Sequence, residues 1–366
     1  SIGRFVTGTY YLKEVPGWMK ALNDKKLADA MQSKEWALLL PPKEYVGADD
    51  RPFEADVYGL GRTFPHPLNG GLQAPGPQSY AALSSSPLMN ELFVQAAKAA
   101  IDGEGLGKDD VPDLLAVSFS SFDRTYHLFG PYSWEVQDAA LRLDKSIGEL
   151  IALAEKAAGG RGNLLVVLSA DHGGAAIPEE WAAAGIEGVR VSPEPYREGL
   201  KKELSERFKG DFVSAIEETD VYLDAKALAD KKLDGAAVRR AAAAWLAKQP
   251  DVAVAYARDD LEAAQGPLAA ALRAGYYPDR SGDVVFSLKP FRVLEYEPSG
   301  TSHGAPYSYD NEVPVIFLGK GVKPGFNGAP IRVVDVAPTV AALMEMGEPA
   351  SSEGSARGEA MTSLPR

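Results

Sequence analysis

Leu165–Gly174 reads LVVLSADHGG. Leu164–Val167 are four consecutive apolar residues. Such a run predicts a strand covered on both faces, here Asn163 to Ser169. Asp171 and His172 follow at the strand's carboxyl end, where open α/β sheets place their ligands. Gly173 and Gly174 free the backbone to turn sharply. A carboxylate beside an imidazole suits a divalent metal of intermediate hardness, most often zinc. Taken alone, the same residues fit an ordinary surface turn.

Upstream, Val111–Ser120 (VPDLLAVSFS) reads as a second buried strand. A long helix is predicted from about Ser133 to Ala158, with Val136, Ala140, Leu143, Ile147, Ile151 and Ala154 on one apolar stripe. Gly159 and Gly160 end it. Strand, helix and strand across 111–169 make a βαβ unit, hence a parallel sheet. Asp123 and His127, spaced D-x-x-x-H, follow the first strand. On a helix, positions i and i+4 share a face, so both side chains can reach one ion. Downstream, His303 lies in the Gly-flanked turn GTSHG (Gly300–Gly304), ahead of a buried strand at Val313–Leu318. Asp335–Met346 reads as a closing helix.

The chain has 366 residues, of which 45% are hydrophobic. That supports one large α/β domain with an insertion, or two domains. The formal net charge of −13 argues against non-specific binding to nucleic acid or anionic membrane. No apolar run is long enough to span a bilayer. With no cysteine in the chain, any transition metal falls to His, Asp and Glu. There are four histidines, His66, His127, His172 and His303. Three of them fall in strand-end loops, two of these beside an Asp. His66, between two prolines, reads as a structural loop residue. Residues 175–298 alternate charged helices with short strands and read as an inserted α+β cap. The core is then 1–174 with 299–366. The chain opens SIGRFVTGTYY, with neither initiator Met nor signal peptide, and reads as starting inside a domain.

SFSSFDRTYHLFGPYS (118–133), VVLSADHGG, GTSHGAPYSYDNEVPVIFLGKG (300–321) and VVDVAPTVAALM (333–344) together resemble the alkaline phosphatase superfamily. More narrowly they are similar to single-chain bacterial alkaline phosphatases related to the nucleotide pyrophosphatase/phosphodiesterases. FVTGTYYLKEVPGWMKALN and FPHPL extend the likeness, which is weakest over 185–298. The resemblance implies a three-layer α/β fold with a largely parallel central sheet. It implies two zinc ions in the intact enzyme. Asp123, His127 and His303 would complete the site that binds the attacking water. Asp171 and His172 would supply two ligands of the second.

The family's Thr nucleophile, its first Asp ligand and its phosphate-gripping Asn and Lys/Arg pair are expected upstream of this chain. Thr7, Thr9, Asp49 and Asp50 match later family segments and take none of those roles. The implied activity is hydrolysis of a small phosphate monoester through a phosphothreonine intermediate, in a periplasmic or secreted protein. A phosphodiesterase of the same superfamily, or a non-catalytic metal-binding fragment, are the alternatives. DRTYH replaces a more usual small, Gly-containing linker between Asp123 and His127. It is expected to shape the pocket rim through Arg124 and Tyr126.

Overall fold

A computed structural model describes residues 2–362; Ser1, where the chain opens, lies outside the described residues. The architecture is mixed α/β. Its organising element is the helix Trp134–Ala157. Ser133 caps it, its hydroxyl accepting the Val136 N–H at 3.1 Å, which satisfies one of the free donors of the first turn. At the other end Gly159 adopts φ +70°, a left-handed conformation that glycine enters without steric cost.

Helices Leu88–Glu104 and Ser121–Phe129 pack on this helix. With Trp36, Leu60, Leu68, Leu83, Leu92, Phe129 and Ala139 they close one hydrophobic cluster. One buried carboxylate holds the amino-terminal segment to the long helix. Asp138 accepts from Trp36 Nε1 (2.6 Å), the Tyr45 hydroxyl (2.6 Å), Leu39 N (2.7 Å) and Arg142 Nε (2.6 Å). Four donors satisfy a charge that would otherwise be costly to bury.

The strand forms over Leu165–Leu168, shorter than expected and half-buried along its length rather than covered on both faces, and its pairing also differs from the expectation. It pairs with Ile316–Gly319, and the ladder is antiparallel, Leu165 opposite Gly319 and Leu168 opposite Ile316. Residues 111–120 are not a strand. They carry no ladder partner, and Val111 and Leu114 are 69% and 78% exposed. The composition of VPDLLAVSFS suits a strand, but a strand exists only where another backbone pairs with it. Among the described residues the one parallel pair is Val189–Val191 with Arg292–Leu294.

Residues 189–294 enclose a second cluster. Four antiparallel strands lie in the order Val213–Glu217, Asp220–Leu223, Val284–Leu288, Val252–Ala257. Helices Pro193–Phe208 and Gly235–Leu246 cover them, burying Tyr196, Leu200, Leu204, Val238 and Leu246 against Ile216, Val221 and Phe286. The helices and three of these strands follow the apolar periodicity. The strands at 189–191, 220–223 and 292–294 escape it, being too short to show alternation. The closing helix forms over Val336–Leu343.

Candidate metal centre

The D-x-x-x-H pair lies on the helix Ser121–Phe129, as its spacing requires. Thr125, buried between the two, donates its hydroxyl to Ser85 O and Ser121 O, each at 3.0 Å. That turns the Asp123 and His127 face away from the core. Gly300 lies in the left-handed region (φ +70°), and a Cβ there would collide with the His127 carbonyl. The glycine therefore permits the GTSHG turn to lie against the helix. Two bonds fasten the turn: Thr301 N donates to His127 O, and His127 Nδ1 meets Thr301 O, both at 2.8 Å.

The three predicted stretches meet at one carboxylate oxygen. Asp123 Oδ1 lies 3.4 Å from His127 Nε2, 3.8 Å from His303 Nε2 and 3.9 Å from His172 Nε2. The His172 and His303 rings stack at 3.5 Å between centroids, and His127 is 4.9 Å from His303. Asp171 Oδ2 lies 3.6 Å from His172 Nε2, and its side chain is 86% exposed. Ligand atoms of Asp123, His172 and His303 all fall within 4.8 Å of one another. Asp123, His127, His172 and His303 are thus brought together, whereas Asp171 is largely exposed and approaches its chain neighbour His172. The tightest triad takes members from both of the ligand sets that the resemblance implies.

The chemistry of this cluster suits a cation. A backbone carbonyl can only accept, so Nδ1 of His127 carries its proton toward Thr301 O. Nδ1 of His172 likewise meets Gly173 O at 2.8 Å. In the neutral rings the Nε2 lone pairs then face Asp123 Oδ1, which is buried and has no hydrogen-bond partner. Lone pairs directed at a carboxylate repel, and a cation held between them would relieve that repulsion. Burial, with His172 and His127 beside it, holds the His303 imidazole below its usual pKa, which favours the neutral ring that a metal needs. An N/O donor set without thiolate fits zinc.

Around the Asp/His cluster runs a shell of polar contacts. Tyr126 is buried and donates its hydroxyl to Ala175 O; burial raises its phenol pKa further. It therefore points inward rather than forming a rim, and Arg124 alone of the pair is exposed. Thr301 Oγ1 donates to Ala175 O and Ala176 O, at 3.0 and 3.1 Å. Its position next to Ser302 and His303 in GTSHG was the available signal for that role, and the sequence reading did not use it. Arg190 reaches from the 189–294 lobe to Gly300 O at 2.8 Å and to both oxygens of Glu179. His66 is fully buried, with Nε2 3.0 Å from Glu135 Oε1, and plays the structural part expected of it.

A mixed α/β fold carrying an Asp/His cluster at loops after a strand and on a helix defines the class: a member of the alkaline phosphatase superfamily. Residues 18–307 match the type I phosphodiesterase / nucleotide pyrophosphatase family, and the chain belongs to it. It is 33% identical over 360 residues to alkaline phosphatase PafA of Elizabethkingia meningoseptica, covering 96% of this chain and 65% of that protein. It is 34% identical over 370 residues to a protein of Myroides odoratus named calcium-transporting ATPase, covering 98% and 66%. The crystal structure of wild-type PafA superposes with a TM-score of 0.89 at 32% identity, over 98% of this chain and 69% of that one. The chain spans about two thirds of the length of these relatives.

Proposed function

We propose that this chain carries the metal-binding part of a zinc-dependent phosphoric ester hydrolase. The buried, unpartnered Asp123 Oδ1 among three imidazole nitrogens carries the reading. Asp123, His127 and His303 would hold one zinc, and Asp171 and His172 would contribute to a second. Residues 1–174 with 299–366 would form the core that holds them, and 175–298 an inserted cap. Bound zinc supplies positive charge that stabilises the phosphoryl oxygens and lowers the pKa of water. Around it, Thr301 fixes the His127 tautomer, so that Nε2 faces inward. Tyr126 and Thr301 hold the Asp171–Ala176 loop against the helix.

The substrate is a small phosphate ester, a monoester by analogy with PafA, cleaved through a phosphothreonine whose threonine is not among the residues around this cluster. The protein would be periplasmic or secreted; among the described residues no helix is long and apolar enough to cross a membrane. The description of the matched family favours one rival, a phosphodiesterase. Turnover of an aryl phosphate monoester and the matching diester by zinc-loaded protein separates them. A diester preference of tenfold or more overturns the monoesterase reading. Zinc binding with turnover of neither ester makes the chain a metal-binding module only. No zinc binding overturns the proposal altogether.

A further inference from the structure

We infer that Asp310 is a positioning residue that sets the spacing between His172 and His303, and so between the two halves of the metal site. The inference rests on the zinc reading above. It starts from a junction that neither ligand loop makes alone. Asp310 lies in the single helical turn Ser308–Asn311 and is 4% exposed. Its carboxylate accepts the N–H of Ala305, two residues beyond His303, at 2.6 Å. Its backbone carbonyl accepts the Gly173 N–H at 2.6 Å, and the Tyr309 carbonyl accepts the Gly174 N–H at 2.7 Å. These are the two residues that follow His172. One dipeptide therefore clasps both ligand loops just beyond their histidines. The clasp leaves no room for side chains on the other loop. A Cβ at Gly173 would run into the Tyr309 carbonyl, and one at Gly174 into the Tyr126 hydroxyl.

The other contacts between these loops are weaker guides. Ala175 N reaches Ser302 O at 3.3 Å, and the Thr301 hydroxyl bonds one strand-end further from the histidines. Neither engages Gly173 and Gly174, the two residues that follow His172. Asp310 is also not a ligand itself. Its oxygens do not join the Asp123–His172–His303 group, and Oδ2 is already engaged with Ala305. Its other oxygen, Oδ1, is buried without a hydrogen-bond partner. A buried carboxylate with one oxygen unanswered is costly. Retaining it at this junction is what a positioning role for the bonded oxygen explains.

Zinc affinity of the apo protein, measured by competition with a chromophoric chelator, tests the inference without relying on turnover. Asp310→Ala is expected to weaken zinc binding 10- to 100-fold, the usual effect of losing a residue that orients ligands. Asp310→Asn keeps an oxygen for the Ala305 N–H and is expected to stay within about threefold of wild type. The melting temperature of the chelator-treated proteins is expected to be unchanged, which a general loss of structure would not allow. Affinity of Asp310→Ala within twofold of wild type overturns the inference, as does an affinity loss matched by a lowered apo melting temperature, or an Asn variant as weak as the Ala one. Should Asp310→Ala not fold, Gly173→Ala opens the same clasp from the other loop. A tenfold loss there supports the inference and wild-type affinity overturns it. Wild-type protein that binds no zinc would instead defeat the zinc reading itself.

Discussion

His127→Ala removes one imidazole from Asp123 and is expected to cost one bound zinc per chain, read by metal analysis after dialysis. Unchanged metal content would contradict the ligand assignment. A second residue-scale expectation concerns Glu54, which is 2% exposed. Burial, with Glu135 nearby, pushes its carboxyl up to about 8. Arg51 opposes the shift, by its backbone N–H to Glu54 Oε2 at 3.1 Å and by its charge, while Glu180 adds to it. A carboxyl whose pKa rises on folding holds its proton more tightly in the native state. Its contribution is complete below the unfolded value of 4.5, and it is lost as pH rises toward 8. The slope is about 1.4 kcal/mol per pH unit, so the loss is on the order of a few kcal/mol. Glu54→Gln should flatten the fall in denaturation midpoint between about pH 5 and 8. A variant that falls as steeply as wild type would show that Glu54 is not responsible.

At the scale of elements, the lobe over 189–294 has its own sheet, two covering helices and its own apolar cluster. If it packs as an independent cap, damage to its interior should not reach the metal centre. Leu204 is fully buried there. Leu204→Ala is expected to cost 2–5 kcal/mol in the unfolding of that lobe, followed by hydrogen exchange of its amides. Zinc affinity should stay within twofold. A parallel loss of zinc affinity would mean the lobe and the core unfold as one unit, with Arg190 on Gly300 as the obvious link.

For the molecule as a whole, the accessible surface is 20366 Å². A compact monomer of 39.0 kDa would expose roughly 14,000 Å². Part of the excess is apolar: Val111, Leu114, Ile316, Val333, Val334 and Phe326 are each about half exposed or more. Exposed apolar surface on this scale draws partners or drives self-association. The chain by itself is expected to enhance the fluorescence of a hydrophobic dye and to sediment in a concentration-dependent way. A dye-silent, strictly monomeric chain would mean this surface is covered in solution.

What the sequence determined alone was everything carried by local spacing. The long helix, the D-x-x-x-H face, the Gly-flanked histidine turns and the five ligating candidates follow from periodicity and residue chemistry, which act over a few neighbours. The tertiary structure decided the rest. It decided that Leu165–Leu168 pairs antiparallel with Ile316–Gly319. It left 111–120 without a ladder, because backbone pairing depends on which distant segment arrives alongside. It also decided that one Asp123 oxygen faces three histidines and that Asp310 clasps both loops. Those contacts join residues up to 180 positions apart in the chain, a distance over which no local pattern can report.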